Sequence, residues 1–233
     1  MKKVAIVQSN YIPWKGYFDL IAAVDEFVLF DDAQYTRRDW RNRNQIKNPE
    51  GVQWLTIPVK VKGKYLQKIR ETEIDGNDWC QDHWKALSQN YKRAECFDEI
   101  SRLLAPLYLN VAPETKMLSE LNRLFLEKVC QYLGIRTKIT SSGSYQILED
   151  RTERLVSIVR QAGGDEYVSG PAAKGYLEES RFRDVGLRLT WFDYDGYEPY
   201  PQLWGEFVHG VSILDLLFNC GKSAPKFMRY VDK

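Results

Sequence analysis

The sequence predicts an α/β fold: a Rossmann-like parallel sheet flanked by helices, with a β-hairpin and a helical insertion. Three observations predict it. Residues 4–7 and 27–30 are short, unbroken apolar runs, the pattern of strands buried on both faces of a parallel sheet. A helix-length amphipathic stretch separates them, so the first 32 residues read as one strand–helix–strand unit with a right-handed crossover. From residue 78 the texture changes to three successive helix-length stretches, after which strand and helix alternate again.

The opening strand, 4–7, runs into a turn holding Gln8, Ser9, Asn10, Tyr11 and Trp14, with Pro13 and Gly16 placed where a helix should begin. Residues 14–24 follow as that helix, with Phe18, Ile21 and Ala22 on its apolar stripe. The second strand, 27–30, ends in Asp31 and Asp32, which brings both carboxylates to the same sheet edge as residues 8–11. Ligands of open parallel sheets bind beyond the carboxyl ends of the strands.

Residues 33–47 are the chemically densest part of the chain. Arg37, Arg38, Arg41, Arg43 and Lys47 are offset only by Asp39, and Asn42, Asn44 and Gln45 are interleaved with them. Arginine recognises phosphate or carboxylate with two parallel bonds, and Tyr35 and Trp40 add flat faces for a base or a sugar. A turn at 48–51 precedes a strand at 52–61, where Pro58 points to an edge or bulge, and 65–74 is expected to return as its hairpin partner. Helices are expected at 79–91, 96–109 and 114–133, the last capped by Gly134, with a strand at 135–139.

Residues 140–144 are a short polar loop, and 152–161 a further helix. A strand at 166–168 leads into Ser169-Gly-Pro-Ala-Ala-Lys-Gly175, where backbone amides and Lys174 can meet an anion. A helix at 176–184, a strand at 187–192, a tyrosine-rich loop at 193–202 and a buried helix at 212–219 complete the pattern. Ser212 suits the N-cap of that last helix and Gly221 the position just past its end. The domain division that follows is a nucleotide-binding-like core of 1–77 and 135–233, with 78–134 as a helical insertion or cap.

The net charge of +1 excludes a surface built wholly to coat nucleic acid or membrane, yet the charge is uneven. Residues 1–70 carry +6 and the remainder −5, which fits an anionic small molecule bound by the first part. Cys80, Cys96, Cys130 and Cys220 have no metal-ligand or redox spacing, so free thiols in a reducing, cytoplasmic compartment are expected. Four apolar residues after Met1-Lys-Lys3 are too few for a signal peptide, and no window reaches the length of a membrane span, so stable membrane insertion is not expected.

Neither histidine, His83 nor His209, has a partner at ligand spacing, so no metal site is expected; Asp31 and Asp32 would hold Mg²⁺ only together with a substrate phosphate. No Gly-x-Ser-x-Gly elbow occurs, and Cys80 with His83 at i, i+3 is a weak nucleophile–base pair. What remains is a ring of strand-end loops rich in donors, aromatics, arginines and carboxylates, with Asp31, Asp32 and Asp193 as candidate bases. Such a site acts by binding, orienting and stabilising charge, which suits group transfer.

Five ordered motifs, Gln8-Ser-Asn-Tyr-Ile-Pro-Trp-Lys-Gly-Tyr-Phe, Phe30-Asp-Asp-Ala-Gln-Tyr, Trp40-Arg-Asn-Arg-Asn, Ser169-Gly-Pro-Ala-Ala-Lys and Ser212-Ile-Leu-Asp-Leu-Leu-Phe-Asn, resemble the WbqC-like protein family over nearly the whole chain. The resemblance implies a place in bacterial O-antigen or other surface-polysaccharide synthesis, and a glycine or acyl transferase role. Val7 departs from the pattern, standing where many members have a His before the Gln. More distantly, the opening unit is similar to class I nucleotidylyl transferases and pantothenate-synthetase-like ligases, whose turn carries His-x-Gly-His. Here Trp14-Lys-Gly-Tyr17 keeps the Gly and neither His.

The expected function is therefore transfer of an acyl or aminoacyl group to an amino-sugar, carried as a sugar nucleotide. The alternatives are an ATP-dependent adenylate-forming amide ligase and a non-catalytic sugar-nucleotide-binding protein. Asp31, Asp32, Gln8 and Tyr17 are the candidate catalytic residues. Asn10, Gln34 and Asn42 are expected to orient the substrate, Tyr11, Trp14 and Tyr35 to stack on it, and Arg37, Arg38, Arg41, Arg43 and Lys47 to hold its phosphate. Ser169, Gly170, Lys174, Tyr194 and Gln202 complete the expected contacts from the distal loops. No organic cofactor is indicated; the donor would be a coenzyme A or carrier-protein thioester, or ATP would be consumed. A homodimer is left open by the sequence.

Overall fold

The computed structural model describes residues 1–231. Along the chain run β1 (Lys3–Val7), α1 (Lys15–Ala22), β2 (Glu26–Leu29), β3 (Arg43–Asn48), β4 (Gly51–Thr56), α2 (Asp78–Tyr91), α3 (Phe97–Pro106), α4 (Leu118–Leu133), β5 (Lys138–Ser141), α5 (Arg151–Gln161), β6 (Glu166–Ser169), α6 (Glu179–Asp184), β7 (Arg188–Trp191) and α7 (Ile213–Cys220). Five strands form one parallel sheet in the order β5-β2-β1-β6-β7, and β3 and β4 form a separate antiparallel hairpin. The fold is α/β, as the sequence predicts.

Alternation along the strands sorts the core into two layers. Ala5, Phe27, Leu29 and Val168 face α1, the helical segment and α7, while Val4, Ile6, Val28 and Tyr167 face α5 and α6. The helices at 78–134 thus share one apolar core with a face of the sheet. At the amino end of β2 the fully buried Glu26 accepts bonds from Lys2 at 2.7 Å, Thr140 at 3.0 Å and Lys138 at 3.2 Å, and from Tyr145. Burial alone would raise its pKa, but these donors outweigh it and hold the carboxyl at about 2. The cluster ties the chain start and β5 to β2.

The hairpin lies earlier than the sequence pattern suggests. It pairs Arg43–Asn48 with Gly51–Thr56, and residues 65–74 contribute only isolated bridges, from Lys68 to Gln34, from Ile74 to Val59 and from Glu73 to Met117. The reason is that β3 is polar in composition but alternating in burial: Asn44 and Ile46 turn inward while Arg43 and Gln45 stay partly exposed. Two boundaries also shift. The third helix begins at Leu118, not 114, because extended residues before it bridge Glu73 and Met117 and bond Leu118 N to Thr72 O. The strand expected at 135–139 begins at Lys138, because Gly134 (φ 75°) and the Ile135 amide are spent in capping α4.

Sheet order fixes where a crevice can form. From β1 the chain moves to β2 and β5 on one side, while β6 and β7 lie on the other, so the order reverses between β1 and β6. Residues 8–14, after β1, and 170–175, after β6, flank that point.

Candidate functional site

The loop after β1 is fixed from several directions. Ser9 N donates to Asp31 Oδ1 at 2.9 Å, Tyr17 Oη to Gln8 O at 2.8 Å, and Tyr11 N to Trp40 O at 3.0 Å. Ile12 has φ 37°, a conformation a β-branched residue rarely adopts. It is held there by Asn44 Nδ2 and Ser212 Oγ, which donate to its carbonyl at 3.0 and 2.7 Å. The Trp14 ring folds over Gly16 so closely that a Cβ there would sit 2.3 Å from it. Only glycine fits.

Asp31 is the central carboxylate of this site. It is 4% exposed, and burial pushes its pKa above the usual Asp value, opposed by the Ser9 amide and hydroxyl and by Arg41. Arg41 Nη1 reaches back to the same loop, donating to Asn10 Oδ1, to Ser9 O at 3.4 Å and to Gln8 O at 3.5 Å, with Asp39 3.8 Å from the guanidinium. Burial lowers its pKa, opposed by Asp39, Tyr17 and Asp31, and its Nε has no partner among the described residues. A carboxylate raised toward neutrality beside a charged guanidinium is suited to taking a proton while an anion is held nearby.

Asp32 has a different environment. Lys68 at 2.9 Å, Arg70 at 2.8 Å and Ser142 Oγ at 3.0 Å surround it. Burial raises its pKa, but the bonds from Lys68, Ser142 and Arg70 win and hold it below the ordinary value. Of the two adjacent carboxylates, Asp31 has the properties of a base and Asp32 those of a strut. Tyr17 is a buried neutral phenol, its pKa raised well above normal by burial and by Asp31. Gln8 and Asn10 stand half-buried at the rim.

Across the strand-order reversal, Ser169 is buried and Gly170 lies against Tyr194, whose ring is 5.4 Å from that of Trp14. The Trp14–Tyr194 contact joins this side to the loop after β1, whose Gln8 and Asn10 are bonded to Arg41. Other expected contacts lie elsewhere. Tyr11 is fully buried, bonding His83 Nδ1 at 2.9 Å and Tyr108 Oη at 2.7 Å, so its ring offers no stacking face. Tyr35 is also buried; Asn42 donates to Ile57 O, and Gln34 to Tyr65 O. Lys47 is buried and donates to Glu206 O, and Gln202 is spent on Tyr200 Oη and on the backbone of Val208. Arg37, Arg38 and Lys174 are exposed, Lys174 over the Trp191 ring at 5.6 Å.

Arg43 lies over Trp54 at 4.1 Å, and Trp54 is 5.4 Å from Trp40, making a half-exposed shelf of indoles and guanidinium next to Arg41 in sequence. Arg38, whose carbonyl accepts from Arg43 Nη2 at 2.5 Å, has the left-handed φ of 57°. None of Arg37, Arg38 and Arg43 makes an ion pair among the described residues.

Sequence reasoning missed three buried polar residues. Asn122, on α4, donates from Nδ2 to Ser9 Oγ at 3.1 Å and to Arg41 O at 2.9 Å. Its signal was an amide inside an otherwise apolar helical stripe. Lys15, in the first turn of α1, is buried against the rings of Tyr197 and Tyr200, each 5.1 Å from Nζ, and donates to Glu198 O at 3.0 Å. Asp215 likewise interrupts a leucine run and accepts from Tyr91 at 2.6 Å and Tyr200 at 2.8 Å. The Cys80–His83 pairing has no activated character: burial pushes the thiol up to about 11 and the imidazole down to about 4. Among the described residues no group of three His, Cys, Asp or Glu is placed to hold a metal ion, and no helix is long and apolar enough to cross a membrane.

Comparison with known proteins gives a family and no reaction. The model of the WbqC-like protein family matches residues 8–227. An uncharacterized protein of Mycobacterium tuberculosis (strain ATCC 25618 / H37Rv), Rv1507c, is 58% identical over 230 residues, 99% of each chain. No solved structure matches the chain.

Proposed function

We propose that this chain, which belongs to the WbqC-like protein family, transfers an acyl or aminoacyl group, glycine among the candidates, to the amine of an amino-sugar carried on a nucleotide. The observation that carries the reading is the buried Asp31 carboxylate with its raised pKa, set beside Arg41 at the strand-order reversal. An amine attacking a thioester must lose a proton as the C–N bond forms. Asp31 takes that proton, the C–S bond breaks, and the proton is returned to the departing thiolate. Arg41 holds the substrate's phosphate or the oxyanion, and Trp14 with Tyr194 supplies an aromatic wall.

The shelf of Arg37, Arg38, Arg43, Trp40 and Trp54 extends the same chemistry outward, with guanidinium groups for anions and indole faces for a sugar ring. Surface-polysaccharide synthesis, which the family resemblance implies, is the setting we read for this step. Adenylate formation is the weaker reading, since Trp14 and Tyr17 stand where the ligases carry histidines and the Trp14 ring covers the start of α1. The test is a thermal-shift titration against sugar nucleotides, ATP and acyl-coenzyme A. A sugar nucleotide at a hundred times its dissociation constant should add about 2.7 kcal/mol, and Arg41→Ala should abolish the gain. Stabilisation by ATP alone would replace this reading with the ligase. Tight sugar-nucleotide binding without turnover on any thioester would replace it with the binding protein.

A further inference from the structure

Helix α4 is apolar along the face it turns inward: Leu118, Leu121, Phe125, Leu126 and Val129 are all buried. One amide interrupts the stripe. Asn122 is fully buried among them, and an amide in such a place needs its hydrogen bonds. Its Oδ1 has no partner among the described residues, while Nδ2 makes both of the bonds to Ser9 Oγ and Arg41 O.

The geometry determines where the hydrogens lie. A backbone carbonyl can only accept, so Nδ2 must be the atom that faces Arg41 O, which fixes the amide orientation. Both Nδ2 hydrogens are then used, one on Arg41 O and one on Ser9 Oγ. Because Ser9 Oγ receives a hydrogen from Asn122, its own hydrogen is free to be donated, and the neighbouring acceptor is Asp31, which the Ser9 amide also reaches at 2.9 Å. With that hydrogen turned onto Asp31, three residues from three parts of the chain make one directed chain of donors that ends on the carboxylate.

We propose that Asn122 is a positioning residue for the Asp31 carboxylate, acting through the Ser9 hydroxyl, so that the helical segment supplies part of the reactive centre. The inference rests on the reading of Asp31 as the base, but its test observes the carboxylate itself. Asp31 is also faced by Arg41 from the loop before β3, by Tyr17 from α1 and by its neighbour Asp32; Arg41 shares Asn122 as a partner through its carbonyl, so the double variant below separates that route from the one through Ser9. Donors to an ionised carboxylate favour the charged form, so removing one raises the pKa. A merely structural amide would leave the titration of Asp31 where it is.

The experiment is a ¹³C NMR titration of protein labelled at aspartate carboxyls, with the Asp31 signal assigned through Asp31→Asn. Ser9→Ala is expected to raise the Asp31 midpoint. Asn122→Leu is expected to raise it in the same direction, and the double variant no further than Ser9→Ala alone, since both act through one hydroxyl. An unchanged midpoint in folded Asn122→Leu, with Ser9→Ala shifted, would overturn the proposal. Should Asn122→Leu not fold, the unmutated protein still decides. There the Asn122 side-chain ¹⁵N signals should follow the Asp31 titration and lose that dependence in Ser9→Ala, and pH-independent signals overturn the proposal. If the coupling is found while Asp31→Asn retains full transfer, the reading of Asp31 as the base falls and the positioning role stands.

Discussion

Asp31 and Asp215 are two buried carboxylates in one molecule, both with pKa values pushed up by burial, and their surroundings differ in one respect. Every group around Asp215 is satisfied. Tyr91 and Tyr200 donate to its two oxygens, Asn219 adds a third bond at 3.4 Å, and Gln202 in turn donates to Tyr200. Around Asp31 the accounting does not close: Arg41 Nε and Asn122 Oδ1 have no partners among the described residues. Burial and a raised pKa therefore do not distinguish a working group from a structural one. Unmet hydrogen-bonding capacity in the surrounding shell is what sets Asp31 apart from Asp215 on the proposed reading.

The contrast is broken most sharply by exchanging the two losses. Asp31→Asn keeps shape and volume, so transfer should fall by about 10²–10⁴ while stability in urea moves by no more than about 1 kcal/mol. Asp215→Ala leaves two buried phenols without their acceptor and should cost about 3 kcal/mol or more of unfolding free energy. Denaturation midpoints and initial transfer rates measured on both proteins decide the matter. A large stability loss in Asp31→Asn, or none in Asp215→Ala, would erase the distinction.

Which parts of this were legible in the sequence follows from what each part depends on. The sheet was legible because residues 4–7 and 27–30 carry a local apolar signal, and its carboxyl edge follows from the direction of those parallel strands. The hairpin was misplaced because Arg43–Asn48 reads as a polar loop, and only its alternation against Gly51–Thr56 makes it a strand. Tyr11 was read as a ligand-stacking ring since nothing local reveals that His83 and Tyr108, far along the chain, enclose it. Asn122 and Asp215 were visible as polar breaks in apolar stripes, but their partners lie 113 and 124 residues away, which no spacing rule reaches.

Arg41 sharpens the comparison through pH. Asp31 acts as a base only when ionised, so the rate should fall as pH drops through its raised pKa. Arg41 favours the ionised form. Arg41→Ala removes that help, and the acid limb of kcat/KM should move to higher pH. A limb that stays in place would mean that Asp31 is not the group being titrated, or that Arg41 does not face it in the working enzyme.

The smallest effect separates the two neighbours Asp31 and Asp32. Asp32 is held below its ordinary pKa by Lys68, Ser142 and Arg70, against its own burial, and its two cationic partners are 41% and 49% exposed. Solvent screens such pairs, so Asp32→Asn should cost only about 1 kcal/mol or less of stability at neutral pH and leave transfer unchanged. The sign of its pH dependence is fixed. A carboxylate with a depressed folded pKa stabilises the protein above its unfolded value, 3.8, and that contribution is lost as pH falls through the lower folded value. The stability difference between the wild type and Asp32→Asn should therefore shrink toward zero in acid, while the activity difference between the wild type and Asp31→Asn is seen at neutral pH. If instead Asp32→Asn abolishes transfer without altering stability, the roles of the two carboxylates are reversed, and the ion-pair cluster would have to be read as holding the base in place.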